Sequence, residues 1–191
     1  QALLAEVSGF LGLDGGVLAS IEGNTFRCIS SVAADGTPTQ IGTELPLGRS
    51  YGDLILKAEG ILAVEHVGSS ALSKHPAYLA DPYEAYIGGA VLVEGRPYGT
   101  LSFLSKSPAI RPFESSDLDL VQLASQWAGG LVERELRARE TSDQSTRLRA
   151  IADLFAVRSG AVEENARAAL SLLCYQLKTD IGVLARVDVQ T

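Results

Sequence analysis

The groups in this chain that could do chemistry are few and widely spaced. His66 and His75 are its two histidines, and with Glu65 and Asp81 they lack the spacing of a metal motif. Cys28 and Cys174 are far from any CxxC or CxxH pattern, so they read as buried thiols in a reducing compartment rather than as a disulfide or metal site. Gly15-Gly16 and Gly88-Gly89 lack the GxGxxG spacing and following helix of a phosphate cradle. No nucleophilic triad can be assembled, so no catalytic residue and no metal ligand is assigned. What remains suits recognition. Tyr51, Tyr78, Tyr83 and Tyr86 cluster in the middle of the chain, where rings with polar tips can form core and rim or wall a ligand. The expected ligand-binding set is Tyr51, Asp53, His75, Tyr78, Tyr86 and Ser102, with the cofactor unspecified. His75, just before Pro76, has a second reading as a helix-end cap.

These residues need a frame. Residues 2–11 carry Leu3, Leu4, Val7, Phe10 and Leu11 at helical spacing, ended by Gly12. Apolar runs over 17–22 and 25–32 flank Gly23-Asn24, a hairpin signal. A loop is expected over 35–38, an extended piece over 44–47 and a helix over 51–59 entered at Ser50. A strand is expected over 61–67, then a short helix capped by Ser69-Ser70. Residues 86–93 and 98–104 form a second hairpin across Glu94-Gly95-Arg96-Pro97, with Tyr86, Gly88, Ala90 and Leu92 on one face. Pro112 precedes a helix starting near Glu114. The sum is an α+β fold, an antiparallel sheet flanked by helices with a long C-terminal connector helix.

The chain also starts again. Asp14-Gly-Gly-Val-Leu-Ala-Ser-Ile-Glu22 is echoed by Asp180-Ile-Gly-Val-Leu-Ala-Arg-Val-Asp188, and Leu4 and Leu11 recur at the same offset as Leu170 and Leu177. A period this long implies tandem copies of a whole domain. The expected organisation is a domain over 1–140, a helical connector over 141–162 and the opening of a second copy over 163–191. Opening on Gln1, the chain reads as a segment of a longer protein.

The order of elements and several words resemble the GAF family of sensory domains, over about residues 2–140. The words are His75-Pro76-Ala77-Tyr78, then Tyr86-Ile87-Gly88-Gly89-Ala90-Val91-Leu92-Val93-Glu94-Gly95-Arg96-Pro97-Tyr98-Gly99-Thr100-Leu101-Ser102-Phe103, then Arg111-Pro112-Phe113, Asp117 and Gln126-Trp127. The resemblance implies a GAF/PAS-like sheet and a regulatory role, in a sensor histidine kinase or a diguanylate cyclase or phosphodiesterase. Bilin-binding members carry Cys-His-x-x-Tyr-Leu; here Lys74 replaces the thiol ahead of His75, Tyr78 and Leu79, so covalent attachment there is excluded chemically. Against the cyclic-nucleotide motif, Lys106, Phe113 and Asp117 match while Ser105 and Leu118 do not, and a structural Lys106–Asp117 tie explains the partial match. Methionine-sulfoxide-reducing members use several cysteines in one domain, and the first copy holds Cys28 alone.

Composition narrows the partners. A net charge of −7 and a pI near 4.8 disfavour nucleic acid and anionic membrane surfaces. No apolar run approaches the ~20 residues of a membrane span. A cytoplasmic setting follows, with a small-molecule ligand or none. The connector pairs Glu133 with Arg137 and Glu135 with Arg139 at the favoured i,i+4 spacing, and no Pro or Gly falls between Leu131 and Ser159. A helix over about 114–158 would run some 60–70 Å at 1.5 Å per residue. It is either a solvated helix, one broken near Thr141-Ser142-Asp143, or half of a parallel homodimer. The function expected is a sensory domain that binds a small molecule or chromophore and signals through a dimeric helix to an output module. The alternatives are a ligand-free dimerisation spacer and a non-covalent bilin photosensor.

Overall fold

The computed structural model describes residues 1–33, 41–58 and 60–156, with residues 167, 170, 171, 174 and 175 beyond them. The loop expected over 35–38 and the second copy's strand over 180–188 lie outside the described residues. The chain divides into two compact units, Gln1–Arg134 and Glu135–Thr191.

In the first unit α1 (Ala2–Leu11) stops where Gly12 enters the left-handed region at φ 68 and its N–H returns to the last carbonyls. The strands are β1 (Gly15–Glu22), β2 (Thr25–Ala33), β3 (Glu44–Pro46), β4 (Leu62–Val64), β5 (Ala85–Val93) and β6 (Arg96–Ser105). They form one sheet in the order β3-β2-β1-β6-β5-β4, every pairing antiparallel. Between β3 and β5 the chain crosses one face of the sheet through a 3-10 turn (Leu47–Arg49), α2 (Tyr51–Lys57), β4, two more 3-10 turns and α3 (Pro76–Ala80). The last helix, α4, runs over Ser115–Ala156.

The alternation along β5 sorts the two cores. Ile87 and Val91, with Leu101 and Phe103 of β6, pack under Leu4, Val7 and Leu11 of α1 and Val121, Ala124 and Ala128 of α4. Tyr86 faces the other way, against Tyr51 and Ile55 of α2, Val67 and Ala77. Phe103, Ile87 and Ile55 are fully buried, worth roughly 1.5–3 kcal/mol each. Gly88 lets the crossover sit on the sheet, since a Cβ there would lie 2.7 Å from Ile55 Cδ1. Gly129 does the same for α4, because its Cβ would strike the Leu92 carbonyl oxygen.

Three boundaries differ from expectation. The helix expected over 51–59 ends at Lys57, where Ala58 turns extended at φ −78, ψ 142. The second hairpin turns in two residues, Glu94 (φ 50) and Gly95 (φ 75), as a type I′ turn requires, so Arg96 and Pro97 belong to β6. A register shift between Val91 and Leu92 accommodates Pro97, which lies beyond the reach of β1 and gives up no bond to it. The strand expected over 61–67 is only Leu62–Val64, because Glu65 O accepts from Ala109 N and Val67 N donates to Glu84 O.

α4 is unbroken at Thr141-Ser142-Asp143. Thr141 Oγ1 and Thr146 Oγ1 donate to Arg137 O and Ser142 O, each at 2.9 Å, so these hydroxyls turn back onto the helix rather than ending it. The Glu135–Arg139 pair forms at 2.6 Å.

Candidate functional site

A cavity of about 430 Å³ lies between the sheet and the crossover in the first unit. Its floor is Val17 of β1, Phe26 and Cys28 of β2, Ser102 and Leu104 of β6 and Tyr86 of β5. Thr43, Leu45 and Pro46 form one wall, Arg49, Ser50, Tyr51 and Gly52 a second, and Ala77, Ala80, Asp81 and Tyr83 a third. Gly52 packs against the Phe26 ring, where a Cβ would sit 3.0 Å from the ring and make it shift. The aromatic frame is ordered. Tyr51 stacks on Tyr86 at 4.6 Å and 21°, and Tyr83 meets Tyr51 edge-on at 6.3 Å. Tyr83 N donates to Tyr51 Oη at 3.4 Å, and the Tyr86 hydroxyl hydrogen-bonds Ser102.

Burial sets the charge state of this lining. It pushes the Tyr51 phenol up to about 12 and raises Tyr86 and the Cys28 thiol as well, so all three are neutral near pH 7. The formal charges are at the rim. Asp81 is paired with Lys106, whose Nζ also donates to Pro82 O at 3.2 Å and lies 3.7 Å over the Tyr83 ring. Arg49 is exposed and forms no ion pair among the described residues. Neutral hydroxyls on apolar walls, with one cation at the mouth that is unpaired among the described residues, suit binding.

Three of the expected ligand residues, Tyr51, Tyr86 and Ser102, line this cavity; Asp53, His75 and Tyr78 do not. Asp53 pairs with Lys57 one turn along α2, at 2.6 Å. His75 is the N-cap of α3, its Nδ1 accepting from Ala77 N at 3.2 Å, which realises the capping alternative. The Tyr78 hydroxyl donates to Glu84 Oε1 at 2.6 Å, while Glu84 Oε2 accepts from Gly68 N at 3.0 Å and lies 3.4 Å from His66 Nε2. The physical reason is the pitch of α3. Ala77 and Ala80, three apart, face the cavity, and Tyr78 is turned away from it. Lys106 likewise ties to Asp81 rather than to Asp117. Asp117 instead takes Arg111 bidentately at 2.6 and 2.9 Å and reaches back to Glu114 N at 2.8 Å, closing the first turn of α4. Arg49, Phe26 and the two alanines were missed. Arg49 had a signal, its place just ahead of the Ser50 helix entry, while the alanines had none.

Cys28 and Cys174 are free thiols. Among the described residues no cluster of three or more His, Cys, Asp or Glu could hold a metal, and no helix is long and apolar enough to cross a membrane.

A six-stranded antiparallel sheet, helices on one face and a pocket under a crossover on the other, defines the class, and the family comparison specifies it. The GAF domain model matches residues 1–132, and the chain belongs to the GAF domain family. No curated protein matches. Among solved structures, bacteriophytochrome RpBphP3 from R. palustris superposes with a TM-score of 0.63 at 12% identity, covering 92% of this chain and 42% of that one. The blue-light absorbing form of the Thermosynechococcus elongatus PixJ GAF domain gives 0.58 at 14%, covering 83% and 92%. The type II free methionine-R-sulfoxide reductase from Thermoplasma acidophilum gives 0.53 at 18%, covering 70% and 89%. At these identities the shared property is the fold.

Proposed function

We propose that this GAF domain is the sensory part of a cytoplasmic signalling protein. It binds a small molecule between the sheet and the crossover, and it acts by recognition rather than catalysis. The observation that carries the reading is the cavity itself, about 430 Å³ and walled by four aromatic rings, within the usual range for small-molecule sites. Its thiol is held protonated by burial and the Tyr51 and Tyr86 phenols are neutral, a poor setting for a nucleophile and a good one for a selective binder. The photoreceptor structures that share the fold support a sensory role by analogy.

Two walls of the cavity belong to the crossover, whose packing on the sheet an occupant would bias, and α4 packs on the opposite face of that same sheet. A ligand that favours one packing shifts the population, and α4 transmits the difference to a second copy and an output module. The exposed row Leu123, Trp127 and Leu131 on α4 supports pairing with another copy.

The test is mass spectrometry of what the purified protein releases on denaturation, beside the variant Ala77→Trp, which fills the cavity. The wild type is expected to release a small molecule, or to gain thermal stability from a compound in a metabolite panel, and the filled variant to do neither. If no compound is released or stabilising in either protein, the reading as a ligand-free spacer replaces this one.

A further inference from the structure

The lining of the cavity narrows the chemistry of its occupant. Tyr51 and Tyr86 are stacked, Tyr83 lies edge-on to Tyr51, and Phe26 closes the floor. Rings arranged so offer both faces and edges, which matches a planar aromatic group better than a branched aliphatic one. The rim adds a sign. Asp81 is neutralised by Lys106, and among the described residues Glu44 pairs with Arg27 and Asp53 with Lys57. Arg49 lines the cavity with no ion pair among the described residues. A guanidinium presents a rigid fork of donors that fits a carboxylate bidentately. A phosphate dianion would call for more than the one cation that is unpaired among the described lining residues, and a cationic ligand would meet Arg49 with no unpaired acid beside it among them.

Resting on the pocket reading above, we infer that this site takes an aromatic carboxylate, its ring among the tyrosines and its carboxylate on Arg49. The hydroxyl of Tyr51 and the Tyr86–Ser102 pair are polar tips deeper in the cavity, where a ring substituent would find them.

Calorimetry of the full chain at pH 7 with four probes tests the class. These are 2-naphthoate, the neutral 2-naphthalenemethanol, 2-naphthylmethylammonium and the non-aromatic cyclohexanecarboxylate. 2-Naphthoate is expected to bind about tenfold tighter than the alcohol or the aliphatic acid, and the ammonium weakest. Arg49→Gln should erase the advantage of the acid over the alcohol and leave the alcohol unchanged. Arg49 is exposed, so the variant should fold, and far-UV circular dichroism checks that it does. If the alcohol equals 2-naphthoate, or the acid keeps its advantage in Arg49→Gln, the class is wrong and the pocket stands. If no probe binds, the class is wrong and the release and stabilisation test above decides the pocket; if Ala77→Trp binds all four as the wild type does, the pocket reading falls and takes this inference with it.

Discussion

Asp117 is a carboxylate with no exposed surface, held by both terminal nitrogens of the Arg111 guanidinium and by a backbone N–H. Those bonds, Arg111 foremost, hold it below the usual carboxylate range. Glu84 is lowered too, first by the Tyr78 hydroxyl, then by Gly68 N–H and His66. A carboxyl that titrates lower folded than unfolded adds stability above its unfolded value of about 4, lost as pH falls through the folded one. The thermal midpoint should therefore drop as the solution is taken below about pH 4. Asp117→Asn should cost about 1–3 kcal/mol in urea unfolding at pH 7 and flatten that acid limb. On co-expression with a bilin-synthesising pathway, zinc fluorescence on a denaturing gel should show no band, since Lys74 offers no thiol. At this scale the sequence was half legible. Residues with chemistry of their own, such as His75 and Tyr78, attracted attention and proved to hold the crossover together, while Ala77 and Ala80 shape the cavity by being small. Absence of bulk carries no signature in a single sequence.

Elements were more legible than residues. Gly23-Asn24 and the Glu94–Pro97 segment mark hairpins, though only the structure confines the second turn to Glu94-Gly95, and the apolar spacing of 2–11 and of the first turns of α4 marks helices. Strand ends such as that of β4 depend on hydrogen bonds to distant partners, which no local pattern encodes. The adjacent glycines of α4 give a sharp test of how it docks. Gly129 lies against the Leu92 carbonyl, whereas nothing lies within 4 Å of a Cβ on Gly130. Gly129→Ala should destabilise by about 1–3 kcal/mol, from overpacking. Gly130→Ala should stabilise by up to about 1 kcal/mol, from helix propensity. Equal effects in chemical denaturation would mean that α4 does not approach β5 so closely.

For the whole molecule, the exposed row Leu123, Trp127 and Leu131 sets an expectation in solution. Left in water, each forgoes roughly 1.5–3 kcal/mol of burial, and a second copy would cover them symmetrically. Sedimentation at micromolar concentration should show a dimer, and Leu123→Glu with Trp127→Glu should shift it to monomer. A wild type that stays monomeric when concentrated would remove the relay.

The sheet order also bears on how the chain is made. β1 and β6 are neighbours at the centre of the sheet, Gly15 opposite Leu104, although one is translated before the whole crossover and the other after it. A nascent chain that has emerged only through α3 has its first hairpin, but the inner edge of β1 is bare and the aromatic floor lacks Tyr86 and Leu104. Closing that gap is a long-range step that cannot be completed until the end of β6 clears the ribosome. Arrested chains ending before β5 should therefore be protease-sensitive and bound by chaperones. Those extended past α4's docking glycine should become resistant in a single step.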